Sequence, residues 1–456
     1  MNRTIAAVST PAGTGGIAVI RISGEDAVKI ADKVFFGSEK LSKCDTHTVH
    51  YGFIKNEKGE KIDEVLVTVM RAPRTFTRED VVEISTHGGS AAPRAVLDTL
   101  IHAGAYMAEA GEFTKRAFLN GRLDLTQAEA VIDIINAENE LAERNALSQL
   151  GGALSKEISK VRAELVHLAA QLQVTIDYPD EDLEDITADD VKTTAEHCCN
   201  IVDRLLSTAD SGKIIRDGIK TAIVGKPNVG KSSLLNSLAR EERAIVTDIA
   251  GTTRDVIEEY INLNGIPLVL IDTAGIRETD DTVEKIGVER SRNSIQAADL
   301  VVVMIDGSSF FDDEDIDVLN ATRHKKRIVL INKTDLGQSK YVEAVKARAA
   351  DSRVIEVSAK TGIGLDELAD EIKSIYDLGF LSQTDGAVIT NMRHKTALIN
   401  ARDALVRVSE AIGMNMPTDI ESIDINYAID ALGEITGETV SDSIVEDIFH
   451  QFCVGK

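Results

Sequence analysis

The 456-residue sequence predicts a chain of mixed class, α/β and α: a small N-terminal α+β domain, a discontinuous helical domain, and a nucleotide-type parallel sheet set into the helical part. Three observations predict it. Short apolar runs separated by Gly-rich turns fill the first 118 residues, and strand-length runs alternate with helical patterns between about 217 and 378. Apolar residues at steps of three and four occupy the segments between and after. The resulting division is 1–118, 119–216, 217–378 and 379–456, and the length fits roughly three domains, each able to bury a core.

In the N-terminal segment, Ile17 to Ile22, Val65 to Val69 and Val81 to Ile84 read as strands, with helices around Asp26 to Phe35 and Ala92 to Ala103. Arg21 and Glu83 interrupt two of these strands, and His87-Gly-Gly89 follows the second. On an alternating strand such residues either face solvent or, buried and paired, line a pocket for a polar ligand. The stretches Gly111 to Phe118 and Gly121 to Glu129 mark a helix start, with Asp124 or Thr126 available as its cap.

From 119 the period changes. Leu147, Leu150, Leu154, Ile158, Val161, Leu165, Leu168 and Leu172 predict one long amphipathic helix ended by Pro179. The acidic stretch Asp177 to Asp190 lacks Ca²⁺-loop spacing and reads as a solvated connection, after which Thr187 caps another helix. Helical spacing returns at Leu398, Leu405, Val408 and Ile412, and again at Ile429, Leu432 and Ile435 beyond Pro417. Each half carries an apolar stripe that needs a partner, so one domain interrupted by another explains both.

Within 217–378, Gly225-Lys-Pro-Asn-Val-Gly-Lys-Ser-Ser233 fits the phosphate-loop pattern G-x-x-x-x-G-K-[ST], between a strand at Thr221 to Val224 and a helix at Ser233 to Leu238. Gly225 and Gly230 let backbone N–H groups turn onto an anion, Lys231 reaches the outer phosphates, and the Ser232 hydroxyl suits Mg²⁺. Further strands are expected at Leu268 to Ile271, Leu300 to Ile305, Ile328 to Ile331 and Val354 to Val357. Polar groups follow at their carboxyl ends, where ligands bind in such sheets. Asp272, in Asp272-Thr273-Ala274-Gly275, can organise the Mg²⁺ shell, and the Gly275 N–H can meet a γ-phosphate. In Asn332-Lys333-Thr334-Asp335, the Asp335 carboxylate can accept from both N–H donors of a guanine edge, which adenine lacks. Ser358-Ala359-Lys360 supplies a backbone N–H for the guanine carbonyl. In this order the elements resemble a Ras-like P-loop GTPase domain, with GTP as substrate.

Ile276 stands where Ras-like GTPases place the glutamine that orients water, so another group must serve. Glu284 is the candidate, against an exposed helix position. In Thr247-Asp248-Ile249-Ala250-Gly251-Thr252-Thr253-Arg254-Asp255, Thr253 can ligate Mg²⁺ and Thr252 offers a second hydroxyl. Asn228, with oxygens from that loop, could complete a cage for a monovalent cation that stabilises developing charge. Arg254 is the rival for that role, and Asn228 is otherwise a polar loop residue.

Composition sets limits. A net charge of −25 argues against broad, sequence-independent nucleic-acid binding, so RNA contact should be local or shared with a partner. Cys44, Cys198, Cys199 and Cys453 show no metal-ligand spacing, which fits a reducing compartment. The first residues show no signal-peptide pattern and no run approaches a membrane span, so a cytoplasmic location without membrane contact is expected.

Together with the GTPase motifs, Ile20-Arg-Ile-Ser-Gly24, Glu79-Asp-Val-Val-Glu-Ile-Ser-Thr-His-Gly-Gly89, Gly111-Glu-Phe-Thr-Lys-Arg-Ala-Phe-Leu-Asn-Gly121 and Cys453-Val-Gly-Lys456 resemble the MnmE (TrmE) family of tRNA modification GTPases over essentially the full length. The resemblance implies a folate-binding N-terminal domain that forms a homodimer, and GTP-dependent modification at C5 of wobble uridine in certain tRNAs with an FAD-binding partner, MnmG (GidA). It implies that Arg21, Glu83, Arg122 and Lys456 contact 5-formyl- or 5,10-methylene-tetrahydrofolate, with Arg122 at a position where relatives carry lysine in some cases. It implies a K⁺ cage of Asn228, Thr247, Ile249 and Thr252, Mg²⁺ ligands Ser232 and Thr253, and Glu284 as the water-orienting carboxylate. GTP contacts follow from Asn228, Val229, Gly230, Lys231, Ser232 and Ser233, from Thr247 through Thr253, from Asp272 through Gly275, and from Asn332, Lys333, Asp335, Ser358, Ala359 and Lys360. Cys453, one helical turn from His450, is left out of the catalytic set. The alternative is a ribosome-assembly or signalling GTPase without modification chemistry, against which the low basic content and the lack of a Gly-X-X-Gly RNA clamp near residue 456 both count.

Overall fold

The computed structural model describes residues 3–177, 186–241, 259–271, 293–337, 341–376 and 386–456. They form two compact units, one of residues 1–135, 149–200 and 397–456, the other of 136–148 and 201–396.

The first unit contains a seven-stranded sheet built from β1 (Ile5–Val8), β2 (Ile17–Ser23), β3 (Phe35–Gly37), β4 (Thr48–Lys55), β5 (Lys61–Met70), β6 (Val81–His87) and β7 (Tyr106–Met107), in the order β3-β4-β5-β6-β2-β1-β7. Successive side chains on a strand point to opposite faces. Ile20, Ile22, Val65, Val67, Val69, Val82 and Ile84 therefore share one face, buried with residues of helices Ala27–Val34 and Ala91–His102. Arg21 and Glu83 alternate onto the other face, directly opposite each other in the β2/β6 register. The strands β1, β3, β4 and β7 were not anticipated. β1 is Ala-rich, β3 and β7 have three and two residues, and β4 mixes exposed Val49 and Tyr51 with polar positions, so none carries a clean alternation.

The helical part of this unit corrects one expectation. The stripe from Leu147 to Leu172 belongs to two helices, Glu140–Leu150 and Ala153–Asp177, separated at Gly151-Gly152. Gly152 adopts φ +82°, a conformation that costs a side-chain-bearing residue dearly and that ends the first helix. The second helix buries Leu154, Ile158, Val161, Leu165, Leu168 and Leu172, with helix Thr418–Thr436 along it. Each such side chain contributes about 1.5–3 kcal/mol on burial. Asp124 caps helix Leu125–Ile135: its Oδ1 accepts from Gln127 N at 2.9 Å, and Gln127 Oε1 accepts from Asp124 N at 3.0 Å. Thr126 is instead fully buried and meets Ser155 at 2.8 Å. Thr187 caps helix Ala188–Leu206 through the same reciprocal pattern with Asp190.

The second unit holds β8 (Ile219–Val224), β9 (Glu259–Leu263), β10 (Ile266–Leu270), β11 (Leu300–Asp306), β12 (Arg327–Asn332) and β13 (Arg353–Glu356), in the order β13-β12-β11-β8-β10-β9. All pairs are parallel except β9 with β10. Val302 and Met304 enter one core and Val301, Val303 and Ile305 the other, so this sheet is covered on both faces and its strands read as continuous apolar runs. The α/β and α class expected from sequence is the class observed. The hairpin β9–β10 was missed, although Asn264-Gly265 at its turn is a strong short-range hairpin signal; both residues take positive φ, +48° and +85°.

Candidate functional site

The strand order reverses around β8, and the phosphate loop leaves β8 at that switch point, where open parallel sheets bind ligands. Helix Lys231–Glu241 begins as the loop ends, so its first N–H groups face the loop's concavity. The glycines are required by space as well as conformation. A Cβ on Gly225 would lie 2.4 Å from Met304 O, and one on Gly230 would lie 2.2 Å from Asn332 Nδ2. Asn228 sits at φ +61°, a region asparagine tolerates better than most residues, and is exposed in the loop; Ser233, also exposed, lies in the helix's first turn. Ser232, also exposed, is the second residue of the helix. Lys231 Nζ donates to the carbonyls of Gly225 and Lys226, each at 2.8 Å, and burial lowers its pKa from the ordinary lysine value. An anion in the loop would reverse that penalty.

The Asn332–Asp335 and Ser358–Lys360 segments are tied to the phosphate loop through one residue. Asn332, at the end of β12 and 2% exposed, donates from Nδ2 to Val229 O at 2.8 Å and accepts from Ala359 N at 2.9 Å through Oδ1. Asp335 is exposed, and its Oδ1 accepts from Ser358 Oγ at 2.8 Å, which fixes the carboxylate without covering it. Lys333, in a left-handed conformation, forms a 2.6 Å ion pair with Asp306 at the end of β11. Burial works to raise the Asp306 carboxyl, but bonds from Lys333 and Ser308 hold it below the ordinary aspartate range. Ser358 and Ala359 are buried and Lys360 is exposed.

Two further residues belong to the loop's support. Lys226 Nζ lies 2.8 Å from both Asp312 and Asp315, the two carboxylates of the capping box of helix Asp313–Ala321. Sequence reasoning passed over them, although the D-x-x-D spacing before a helix is legible. Thr247, Asp248, Ile249, Ala250, Gly251, Thr252, Thr253, Arg254, Asp272, Thr273, Ala274, Gly275 and Glu284 lie outside the described residues.

The first unit assembles a separate polar cluster. Arg21 Nε donates to Glu83 Oε1 at 2.8 Å, both side chains being mostly buried, and its guanidinium lies 5.6 Å from the Phe76 ring centroid and 5.7 Å from that of Phe113. Arg122 stacks over the same Phe76 ring at 4.8 Å and donates to Phe76 O at 3.1 Å. Its pKa is lowered by burial first and by Arg78 second. The Cys453–Lys456 stretch runs alongside: Val454 bridges to Ala110, Phe113 N donates to Lys456 O at 3.2 Å, and Ser9 Oγ donates to Gly455 O at 3.0 Å. Gly455 has no room for a Cβ, which would lie 2.3 Å from Val8 O. Arg21 and Arg122 are thus linked through Phe76, Glu83 through its pairing with Arg21, and Lys456 reaches Phe113 through its main-chain carbonyl. Phe113 lies inside the Gly111–Gly121 motif, whereas the sequence around Phe76 carries no comparable signal.

Against this geometry, two family models match adjoining stretches: the N-terminus of the GTP-binding protein TrmE over residues 4–122, and the MnmE helical domain over residues 125–453. The chain belongs to the MnmE family. Relatives each named tRNA modification GTPase MnmE include those of Lactobacillus acidophilus, 50% identical over 99% of this chain and 98% of their own length, and Ligilactobacillus salivarius, with the same identity and shares. The Acetivibrio thermocellus MnmE is 48% identical over 99% of both chains. As a member of the MnmE family the chain is a GTP hydrolase, taking GTP with Mg²⁺. The glycine cradle and a serine hydroxyl, Ser232, in the helix's first turn fit a phosphate-bound divalent ion chemically.

Proposed function

We propose that this MnmE-family GTPase is K⁺-dependent and, together with the FAD-binding partner MnmG, modifies C5 of wobble uridine in certain tRNAs, to aminomethyl or carboxymethylaminomethyl type, with a tetrahydrofolate one-carbon unit. What carries the reading is the Arg21–Glu83–Arg122 cluster around Phe76 and Phe113, with the Lys456 main chain bonded to Phe113, a set a plain GTPase has no use for. Two guanidiniums and an ammonium suit the carboxylates of a folate tail, Glu83 suits the donor edge of a pterin, and the rings supply apolar faces. Bound folate would supply the one-carbon unit. The protein's part is to orient it and exclude water.

In the nucleotide site, Asp335 reads guanine, Lys231 and the loop amides hold the phosphates, and Ser232 with Thr253 holds Mg²⁺. Asn228 with Thr247, Ile249 and Thr252 would hold K⁺, which supplies positive charge at the transition state. Glu284 orients water. Hydrolysis acts as a conformational timer in a homodimer, for chemistry carried out elsewhere. Among the described residues no helix is long and apolar enough to cross a membrane, and we place the protein in the cytoplasm.

The test is mass spectrometry of wobble nucleosides in tRNA from cells with and without the protein. Loss of C5-substituted uridines on deletion, restored by the intact chain and not by Asp272→Ala, supports the proposal. Unchanged nucleosides with no redundant enzyme present would sink it and favour the assembly-factor alternative. K⁺ dependence fails separately if Na⁺ and K⁺ support equal GTP turnover at matched ionic strength.

A further inference from the structure

Away from both clusters, Glu39, Cys44 and His50 converge in the first unit, with one ligand atom from each within 4.8 Å of the others. Cys44 Sγ lies 3.6 Å from His50 Nδ1, and Glu39 Oε1 lies 3.9 Å from the same nitrogen. Around a tetrahedral zinc ion, Zn–S of about 2.3 Å and Zn–N of about 2.0–2.1 Å place sulfur and nitrogen about 3.5 Å apart. The Cys44–His50 pair already has that separation, and Glu39, on an exposed and adjustable side chain, needs only a small shift.

The tautomer of His50 is fixed by its other nitrogen. Thr48 Oγ1 has a single proton, which it donates to Asp45 O at 2.6 Å, so its 2.7 Å contact with His50 Nε2 must be one in which the ring donates. That leaves the Nδ1 lone pair directed at Cys44 and Glu39, and it is the outer hydrogen bond that ligating histidines characteristically make. The segment that delivers Cys44 is held in place as well. Asp32 accepts from Leu41 N and Ser42 N at 2.5 and 3.1 Å, Leu41 is fully buried, and Arg71 donates to the carbonyls of Leu41 and Ser42.

We infer that Glu39, Cys44 and His50 form a binding site for a zinc-class cation, which pins the segment before β4 to that strand and leaves a fourth position to water or to the Lys40 carbonyl, 3.3 Å from Cys44 Sγ. Nothing in GTP hydrolysis requires it, so its loss leaves turnover intact.

Titration of the full chain with Co²⁺ tests this directly. The expected result is one equivalent giving a thiolate-to-cobalt charge-transfer band and intense tetrahedral d–d bands, displaced by Zn²⁺. Cys44→Ser and His50→Ala should abolish the bands with circular dichroism and GTP turnover unchanged, while Cys453→Ser and Cys198→Ser should keep them. If His50→Ala disturbs folding, Thr48→Val, which retains every ligand, should weaken binding about ten- to a hundred-fold. No charge-transfer band, or one that survives Cys44→Ser, would overturn the assignment and leave the trio a hydrogen-bonded cluster.

Discussion

Asn332→Ala tests whether a single buried amide aligns the two halves of the nucleotide site. The substitution removes the bonds to Val229 O and from Ala359 N, whose residues are 1% and 4% exposed, leaving both groups without their partner. An orphaned buried polar group costs about 1–3 kcal/mol. The phosphate-loop side can recover part of this through water, because Asn228 next to Val229 is exposed. A net loss of about 2–4 kcal/mol follows, and at 1.4 kcal/mol per decade that is about 30- to 700-fold. The cost divides between nucleotide affinity and the stability of the second unit. Equilibrium titration with a fluorescent GDP analogue in excess Mg²⁺ reads the first, and hydrogen exchange of the Val229 and Ala359 regions reads the second. If affinity fell less than about threefold and exchange were unchanged, Asn332 would not be the tie the geometry suggests.

Asp335→Asn replaces an acceptor by an amide that can donate to the extra carbonyl of xanthine, so GTP affinity should fall by about 1.5–3 kcal/mol per lost charge-assisted bond while xanthosine triphosphate binding rises; competition between the two nucleotides decides it. Phe76→Ala removes the ring that both Arg21 and Arg122 cover, and should weaken 5-formyltetrahydrofolate about ten-fold or more in calorimetry, leaving GTP turnover of the isolated chain unchanged. His87 pairs with Asp63 at 2.7 Å, and that bond raises its pKa above 6.5. Its contribution is therefore fully present below 6.5 and is lost as pH rises through the raised value; NMR titration should show a midpoint that Asp63→Asn returns to the ordinary range.

Legibility followed the length of the pattern. The second unit's parallel strands are buried on both faces, so β8, β10, β11, β12 and β13 stand out as apolar runs, and the phosphate loop and the Asn332–Asp335 segment sit at the ends of β8 and β12. The first unit's sheet buries its main core on one face and a smaller one on the other and is partly made of strands of two to four residues, and β1, β3, β4 and β7 left no such trace. The Leu147 to Leu172 stripe misled because helical period continues across Gly151-Gly152, and only the left-handed Gly152 reveals the break. At the sites, charged residues were legible and their supports were not. Arg21 and Glu83 drew notice as polar interruptions, but whether they faced solvent or each other depended on the β2/β6 register. Phe76 acquires its place only when Arg21 and Arg122, a hundred residues apart in sequence, close over it. Cys44 and His50 show no metal-ligand spacing along the chain; they meet because Cys44 follows the short 3-10 helix Leu41–Lys43 and His50 lies in β4.

The nucleotide site joins groups of different energetic character. Asn332, Ser358 and Lys333 have their hydrogen-bonding groups engaged inside the protein, so they are already oriented before ligand arrives. Preorganisation of this kind lowers the entropic cost of binding and does nothing by itself for the chemical step, since it acts on ground state and transition state alike. Asp335 differs: its carboxylate is positioned by Ser358 yet exposed, which leaves its remaining acceptor capacity for a base. The residues proposed to distinguish the transition state, Glu284, Thr253 and the oxygens around Asn228, belong to other segments. Substitutions in the first set should therefore change affinity with little effect on saturated turnover. Substitutions in the second should do the reverse, because only interactions that strengthen as charge develops on the γ-phosphate accelerate its transfer.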